Sequence, residues 1–189
     1  TRQLDGAHIE FLKGIENPIG INVGPSTKTD ELLKIIDTLN PNNENGKITL
    51  ICRMGHEKVA NILPNIINTV DKAGKHIVWT CDPMHGNTIK SNTGYKTRPL
   101  KDIISEIHQF FQIHRAEGTY PGGVHLEMTG QDVTECMGRL QEITDEDLQN
   151  RYHTYCDPRL NASQSLELAF LLSDFLKEEK LLSKQSSNL

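Results

Sequence analysis

Residues 76–87 read His-Ile-Val-Trp-Thr-Cys-Asp-Pro-Met-His-Gly-Asn, an apolar run that ends in a polar turn. The run itself, residues 76–81, is rich in β-branched and aromatic side chains and predicts a strand. The Asp-Pro and His-Gly pairs that follow predict a tight, exposed loop, which could aim the imidazole of His85 into a pocket. An ordinary polar turn is the alternative interpretation of the same residues.

Three further apolar runs resemble the first, at residues 18–23, 48–52 and 123–128. They are nearly continuous rather than alternating, as in strands that are buried on both faces. Amphipathic helical patterns, with apolar positions three or four residues apart, lie between and after the runs. These patterns cover residues 29–39, 59–70, 100–111 and, with Asn161 or Ser163 as N-cap, residues 164–176.

Local signals mark the ends of several of these elements. Thr29 is the predicted N-cap of the first helical pattern, and Gly74 occupies a C-cap position after the second. Pro64 lies inside the second pattern and predicts a kink or a restart of that helix. Residues 177–189 are expected to form a frayed tail.

The alternation of strands and helices implies an α/β fold with a parallel sheet and right-handed crossovers. Two architectures fit this order, an open doubly wound sheet and part of a (β/α)₈ TIM barrel. No glycine-rich nucleotide-binding motif follows a strand, which weakens the nucleotide-binding versions of the first architecture. Reactive side chains at the C-terminal ends of successive strands are typical of barrels. Such residues lie near the end of each run or just after it: Asn22, Arg53, Asp82 with His85, and Glu127.

Four βα units are half of a barrel, so we predict that residues 1–189 form a single domain that needs a missing half. That half would come from the same precursor or from another chain. The sequence does not begin with Met, and we expect that residues are missing upstream.

The composition excludes several classes of protein. No apolar run approaches the roughly 18 residues that are needed to span a bilayer, so no membrane association is expected. The net charge of −5 and the pI of about 5.9 argue against a general nucleic-acid surface. No secretory signal opens the chain. The four cysteines are widely spaced and form no C-x-x-C pair, which predicts reduced thiols in a cytoplasmic protein.

Three residues are candidate metal ligands: His85, Glu127 and Asp157. A carboxylate in an apolar strand, as predicted for Glu127, is costly unless it is paired or metal-bound. One imidazole and two carboxylates suit a divalent ion such as Mn²⁺, Co²⁺, Fe²⁺ or Zn²⁺, and three protein ligands leave room for substrate or one more ligand. The alternatives are a strand end in solvent for Glu127 and a helix-entry Asp-Pro signal for Asp157.

Three basic residues are candidates for binding phosphate. Arg53 follows a strand beside a glycine, where its guanidinium could fork onto a phosphate or carboxylate. Its competing structural role is a salt bridge to Asp82 or Glu57. Lys96 and Arg98 form a second cationic segment, for which a solvated loop is the alternative.

Longer strings in the sequence resemble class II 3-deoxy-D-arabino-heptulosonate 7-phosphate (DAHP) synthases. They occur in family order and extend over the chain to about residue 176. The strings are TRQLDGAH (1–8), NPIG (17–20), DPMHGNT (82–88), GYKTR (94–98), GVHLEMTG (123–130), VTEC (133–136), CDPRLN (156–161) and QSLEL (164–168). Several matches of four to eight residues in order are more specific than any short motif.

The resemblance implies a transferase with a (β/α)₈ barrel, of which this chain supplies about the last four βα units. The family condenses phosphoenolpyruvate with erythrose 4-phosphate and releases phosphate, in the first step of the shikimate pathway for aromatic amino acids. By resemblance His85, Glu127 and Asp157 match three of four metal ligands, with Mn²⁺ or Co²⁺ favoured as the ion. The fourth ligand, a cysteine, should lie upstream of this chain. Arg53 matches a phosphoenolpyruvate-binding arginine.

One position departs from the family pattern. A lysine that would face phosphoenolpyruvate in the family is Asn22 in this sequence. An ammonium ~4 Å from a phosphate oxygen contributes roughly 4 kcal/mol at an effective dielectric of 20, before desolvation. The sequence therefore leaves open an inactive or truncated barrel half that binds metal or a partner without turnover.

Some properties follow from the resemblance alone or stay open. Another metal-dependent barrel aldolase or lyase is a second alternative. Family members are commonly homo-oligomers that are regulated by aromatic amino acids. A plastid location would depend on a transit peptide upstream, so it stays open beside the cytoplasmic one.

Overall fold

The structure is a computed structural model that describes residues 3–138 and 142–186. The helices are α1 (Ala7–Lys13), α2 (Thr29–Leu39), α3 (Val59–Lys72), α4 (Leu100–Ala116) and α5 (Ala162–Ser186). The strands are β1 (Ile19–Val23), β2 (Ile48–Cys52), β3 (Ile77–Cys81), β4 (Ile89–Lys90), β5 (Lys96–Thr97) and β6 (Pro121–Val124). Short 3₁₀ turns cover His85–Asn87 and Glu146–Asn150.

Four strands form one parallel sheet in the order β1-β2-β3-β6, and β4 pairs with β5 in a small antiparallel hairpin. The last residues of the four parallel strands lie in one register row, which runs through Val23, Cys52, Cys81 and Val124. The segments that follow these strands therefore leave the sheet along the same edge. This is the edge at which the sequence placed the reactive side chains.

Within the described residues, helices cover one face of the sheet and leave the other open. The side chains of Ile21, Leu50 and Trp79 are buried in the core, and α2, α3 and α4 pack side by side in chain order. Residues of the other face, such as Asn22 and Ile51, are exposed or half-buried. The prediction of strands buried on both faces is thus wrong for the described part of the chain, because successive crossover helices all lie on one side.

The strand order also bears on the two predicted architectures. A doubly wound sheet reverses its strand order at a switch point and carries helices on both faces. The four parallel strands here follow chain order, so no switch point occurs among the described residues. The α/β class and the parallel sheet are confirmed.

The observed ends of α2 and α3 agree in part with the capping residues predicted from the sequence. Lys28, whose backbone is extended, is the N-cap of α2, and the predicted cap Thr29 is already helical. After α3 the amides of Gly74 and Lys75 bond to the carbonyls of Asp71 and Val70, and Gly74 has φ +66°. Such a left-handed glycine is the usual end of a helix, as predicted.

Pro64 does not interrupt α3, which runs from Val59 to Lys72. Proline cannot donate the bond that would reach the carbonyl of Ala60. Ala60 is exposed, so water can satisfy that carbonyl instead. The helix continues because the buried stripe on its other side keeps it packed on the sheet.

The last helix, α5, begins with reciprocal capping bonds. The amide of Gln164 donates to Asn161 Oδ1 at 2.9 Å, and the amide of Asn161 donates to Gln164 Oε1 at 3.2 Å. This arrangement is a capping box and confirms Asn161 as the cap. The helix continues to Ser186, and residues 187–189 of the predicted frayed tail lie outside the described residues. In the described residues no helix has the length and apolar character needed to cross a membrane.

Candidate metal centre

Three segments bring the predicted ligands together. His85 lies in the turn after β3, Glu127 follows β6, and Asp157 precedes α5. One ligand atom from each lies within 4.8 Å of the other two. His85 Nε2 is 3.4 Å from Glu127 Oε1 and 3.6 Å from Asp157 Oδ2. The convergence that the sequence predicted is present, and the role of these residues as ligands stays a prediction.

Glu127 is not inside a strand, since β6 ends at Val124. After His125, whose amide bonds to Cys81, the chain leaves the sheet and pairs with the segment before α5. Leu160 donates to the carbonyl of Glu127 and accepts from the amide of Thr129. This local pairing holds the segments of Glu127 and Asp157 side by side.

Asp82 holds the imidazole of His85. Its side chain is 2% exposed, and Oδ1 accepts the amides of Met84 and His85. Oδ2 lies 2.6 Å from His85 Nδ1, so this nitrogen carries the proton that Asp82 accepts. The other ring nitrogen, Nε2, then presents its lone pair to the two carboxylates, as in carboxylate–histidine–metal arrangements.

Arg98 holds the carboxylate of Glu127. Its guanidinium bonds to Glu127 Oε2 and, at 2.5 Å, to the carbonyl of Pro158, while Nε donates to Thr88. The Arg98 side chain is 0% exposed. The solvated-loop alternative therefore does not describe Arg98, whose guanidinium has no free surface for an incoming phosphate.

Asp157 is held by a side chain and by its own loop. Lys96 Nζ bonds to Oδ1, and this hydrogen bond, with the charges of Lys96, Arg98 and His85, lowers the pKa of Asp157. Half of the Lys96 side chain is exposed, so it stays in reach of solvent.

The loop of Asp157 is anchored by an ion pair between the buried carboxylate of Glu135 and the half-buried guanidinium of Arg159. Arg159 donates to both oxygens of Glu135, at 3.0 and 2.8 Å, and the amides of Arg159 and His153 donate to the same carboxylate. Burial alone would raise the pKa of Glu135, but the hydrogen bonds and charge of Arg159 lower it below its ordinary value. The segment 153–159, which precedes α5, is thereby fixed against Glu135.

Each candidate ligand thus has one atom bound by the protein and one atom directed at a common centre. The inner atoms are His85 Nε2, Glu127 Oε1 and Asp157 Oδ2. Ligands about 2.1 Å from an ion stand about 3 to 3.5 Å apart at its octahedral or tetrahedral corners, and the two distances from Nε2 are close to that range. The donor set of one nitrogen and two oxygens therefore fits a divalent ion.

The cysteines take no part in this cluster. All four are free, and burial raises the pKa of Cys52 and Cys81 well above the ordinary value and that of Cys136 to about 12. Such thiols are poor sources of the thiolate that metals bind.

A separate cleft lies beside β1 and contains the predicted anion-binding residues Asn22 and Arg53. It has a volume of about 440 Å³ and is also lined by Gly24, Pro25 and His8. Arg53 is half-buried, and in residues 3–138 and 142–186 it forms no ion pair with Asp82 or Glu57. The structural alternative for Arg53 is therefore wrong, and its binding role stays a prediction.

Two buried carboxylates, Glu106 and Glu135, were not predicted from the sequence. Glu106 lies on α4 and is 0% exposed, and desolvation by burial raises its pKa to about 7. A sequence signal for the burial of Glu106 was present. This residue lies at helical spacing within a buried apolar stripe, with Ile103, Ile107 and Phe110. Glu135 lies in an irregular segment, where no periodicity could have revealed its burial.

The comparison with known families covers all of these residues. The model of the class-II DAHP synthetase family matches residues 1–173. The chain belongs to the class-II DAHP synthetase family. All seven residues predicted for metal or substrate binding lie within the part that matches this family.

Two curated relatives show how much of a class-II DAHP synthetase the chain represents. It is similar to the phospho-2-dehydro-3-deoxyheptonate aldolase AroG of Mycolicibacterium smegmatis, with 53% identity over 178 residues. It is also similar to the phospho-2-dehydro-3-deoxyheptonate aldolase of Neurospora crassa, with 52% identity over 182 residues. The matches cover 94% and 95% of this chain but 38% of each relative. The chain therefore spans well under half the length of these relatives.

Proposed function

We propose that the protein belongs to an enzyme that condenses phosphoenolpyruvate with erythrose 4-phosphate and releases phosphate, as a DAHP synthase. This reaction would open the shikimate pathway to the aromatic amino acids. The observation that carries the proposal is the convergence of His85, Glu127 and Asp157 within a chain that matches the family over residues 1–173.

We propose in addition that the sheet is half of a (β/α)₈ barrel. The sequential strand order, the helices on one face and the uncovered opposite face all support a barrel wall. The unpaired sides of β1 and β6 would then join the strands of an N-terminal half. In this arrangement the cleft beside β1 becomes part of the barrel mouth.

The candidate ligands would hold a divalent ion, with Mn²⁺ or Co²⁺ favoured over Fe²⁺ or Zn²⁺ by the family resemblance. Bound there, the ion would provide a Lewis acid for the aldehyde oxygen of erythrose 4-phosphate. Asp82 keeps the proton of His85 on Nδ1, and Arg98 keeps one oxygen of Glu127 directed at the centre. These two residues act as positioning residues.

The substrate phosphates and carboxylate would bind to cationic side chains at the same edge of the sheet. Arg53 would orient phosphoenolpyruvate, with Asn22 as a hydrogen-bond donor beside it, and the exposed ammonium of Lys96 would contact the second substrate. A new C–C bond joins the enol carbon to the aldehyde carbon, water adds to the former enol, and phosphate leaves. Fixed orientation of both substrates provides much of the expected acceleration.

Release of phosphate from the two substrates by the complete protein, this chain together with the N-terminal barrel half, tests the proposal. Activity should be lost on chelation and restored by Mn²⁺ or Co²⁺. Replacing phosphoenolpyruvate by pyruvate separates the synthase from other barrel aldolases, because only the synthase liberates phosphate. A complete protein that takes up metal but releases no phosphate would contradict the proposal.

His85→Ala tests the ligand assignment within the same assay. Turnover should fall by about 1,000-fold or more, because several kcal/mol of charge stabilisation is lost with the ion. His76→Ala is the matched control, since this exposed residue precedes the same strand at its opposite end. Unchanged turnover in the His85 variant would exclude it as a ligand.

An inactive barrel half that binds metal or a partner is the second candidate. Asn22 favours it, because the family lysine expected at this strand is absent. The assay of phosphate release by the complete protein decides between the two candidates.

A further inference from the structure

Glu106 is a buried carboxylate that the metal and anion sites do not use directly. It lies on the stripe of α4 that packs against the sheet and is 0% exposed. In the described part of the chain no Lys, Arg or His side chain forms an ion pair with it. A buried charge without a cation is costly, and a leucine at this position would suit the stripe better.

Among residues 3–138 and 142–186, its hydrogen-bond partners all belong to two loops at the edge of the sheet. Oε1 accepts the amides of Met54 at 2.9 Å and Gly55 at 3.0 Å, in the loop after β2. Oε2 accepts Nδ2 of Asn87 at 2.7 Å, in the turn after β3. Asn87 in turn accepts the amide of His56 on Oδ1 and donates to the carbonyl of Pro83. One carboxylate thus ties the two loops to each other and to α4.

The two loops also touch directly through their backbones. A Cβ added to Gly86 would lie 2.3 Å from the amide nitrogen of Gly55. Met54 directly follows Arg53, and Gly86 directly follows His85. A change in the contact between the loops would therefore alter the position of the guanidinium relative to the imidazole.

We propose that Glu106 is a positioning residue that sets the anion-binding Arg53 against the metal-ligand candidate His85. The inference rests on the proposed function, because it takes those two residues as its binding groups. Glu106 has no contact with substrate or ion in this role. It acts through the backbone of one loop and through Asn87 in the other.

The polarity of the three partners makes the role testable with a single atom exchange. All three are donors, so the ionised carboxylate, which Glu106 presents above its pKa of about 7, satisfies each of them. In Glu106→Gln the amide oxygen can still accept from Met54 and Gly55, but the amide nitrogen faces the nitrogen of Asn87, two donors in opposition. Rotation of the Asn87 amide would break its bonds to His56 and Pro83. The variant therefore keeps the link to one loop and breaks the link to the other.

The control is Glu117→Gln, at the end of the same helix. Glu117 also accepts Nδ2 of an asparagine, Asn68, at 2.6 Å, but this pair is exposed and lies away from both loops. The chemical change is the same in the two variants. Only the position of the carboxylate differs.

The experiment measures binding in the complete protein rather than turnover. Co²⁺ affinity is measured by titration of its visible absorption without substrates, and phosphoenolpyruvate affinity by calorimetry with Co²⁺ present. We expect Glu106→Gln to weaken Co²⁺ binding about 10-fold or more, the range for loss of a supporting partner, and to weaken phosphoenolpyruvate binding as well. Glu117→Gln should change neither by more than about two-fold. Wild-type affinities in Glu106→Gln, with only a lower unfolding temperature, would overturn the inference and leave a structural role.

Asn87→Ala provides a second route if Glu106→Gln does not fold. It removes the same link from the other side without altering the buried carboxylate, and the same two affinities should fall. A protein in which Asn87→Ala binds both probes like wild type contradicts the inference. If wild type binds Co²⁺ but turns over no substrate, the proposed function fails, while the variants' Co²⁺ affinities still decide the role of Glu106.

Discussion

Asp82 decides which nitrogen of His85 faces the two carboxylates. Its Oδ2 accepts the proton of Nδ1, which leaves the lone pair on Nε2 for the centre. The sequence alone showed that both residues follow β3, but it could not assign the tautomer. The geometry makes the tautomer testable.

Asp82→Asn should lower metal affinity about 10- to 100-fold, the range for partners of ligating histidines. The asparagine amide would face Nδ1 with a donor, so the ring would place its proton on Nε2 instead. Co²⁺ titration of the complete protein measures the change. Asp174→Asn, on the exposed part of α5, should have no effect, and an unchanged affinity for Asp82→Asn would contradict the assignment of the tautomer.

Asn22→Lys should tighten phosphoenolpyruvate binding in the complete protein. Asn22 and Arg53 line the same cleft, and a second cation there would add attraction to a phosphate or carboxylate. Calorimetry with the metal present measures the affinity, and Asn22→Gln controls for side-chain length without charge. No gain from the lysine would mean that another cation already fills this role.

On the scale of the element, α4 carries two buried groups whose pKa values are shifted in opposite directions. Burial raises the pKa of Glu106 from 4.5 to about 7 and lowers that of His114 from 6.5 to about 4. His114 packs against Trp79 and Phe110, and its Nδ1 lies 2.7 Å from the hydroxyl of Thr119. Between pH about 4.5 and 6.5 the folded protein holds an extra proton on Glu106 and lacks one on His114, so the two effects on stability oppose each other.

Substituting one group should expose the pH dependence of the other. As the pH rises from about 4.5 to 6.5, Glu106 lowers the free energy of unfolding and His114 raises it, each by roughly 3 kcal/mol. As the pH rises, the free energy of unfolding of Glu106→Gln should therefore increase relative to that of wild type. The free energy of unfolding of His114→Phe should decrease relative to that of wild type. Urea denaturation at several pH values between 4.5 and 7.5 measures both. If the free energy of unfolding depends on pH in the same way in wild type and in both variants, the pKa shifts of Glu106 and His114 are contradicted.

On the scale of the whole molecule, the sheet has two strands with an unpaired side. β1 pairs only with β2, and β6 pairs only with β3, among the described residues. Unpaired edges are prone to association and exchange their amide hydrogens readily. The uncovered face of the sheet adds to this exposure.

The proposed barrel predicts how these edges respond to the other half. Amides of β1 and β6 should exchange at least 10-fold more slowly in the complete protein than in the 189-residue chain, because new strands would bond to them. Hydrogen exchange followed by mass spectrometry measures the protection, with the central strand β2 as internal control. Equal exchange at both edges in the two proteins would exclude a closed barrel.

The strands could be predicted well because their signals are local. The apolar runs predicted β1, β2 and β3 within one residue of their observed ends, and the two capping residues of α5 are only three residues apart in sequence. The end of β6 could not be predicted, because the apolar character of residues 125–128 continues past the sheet. There the backbone of Glu127 and Thr129 pairs with Leu160 instead, and no local sequence pattern predicts this contact.

The sequence by itself determined the α/β class through local strand and helix patterns, and it determined the family through long strings of matching residues. The expectation that one imidazole and two carboxylates converge came from that resemblance, because Asp157 follows no predicted strand. Only the tertiary structure decided which atoms face the common centre and which charges are buried behind it. Arg98 reaches the carbonyl of Pro158 across 60 residues, and Glu106 reaches the amide of Met54 across 52. Hydrogen bonds of this kind depend on where distant segments pack, and the packing is set by the whole core rather than by any one stretch of residues.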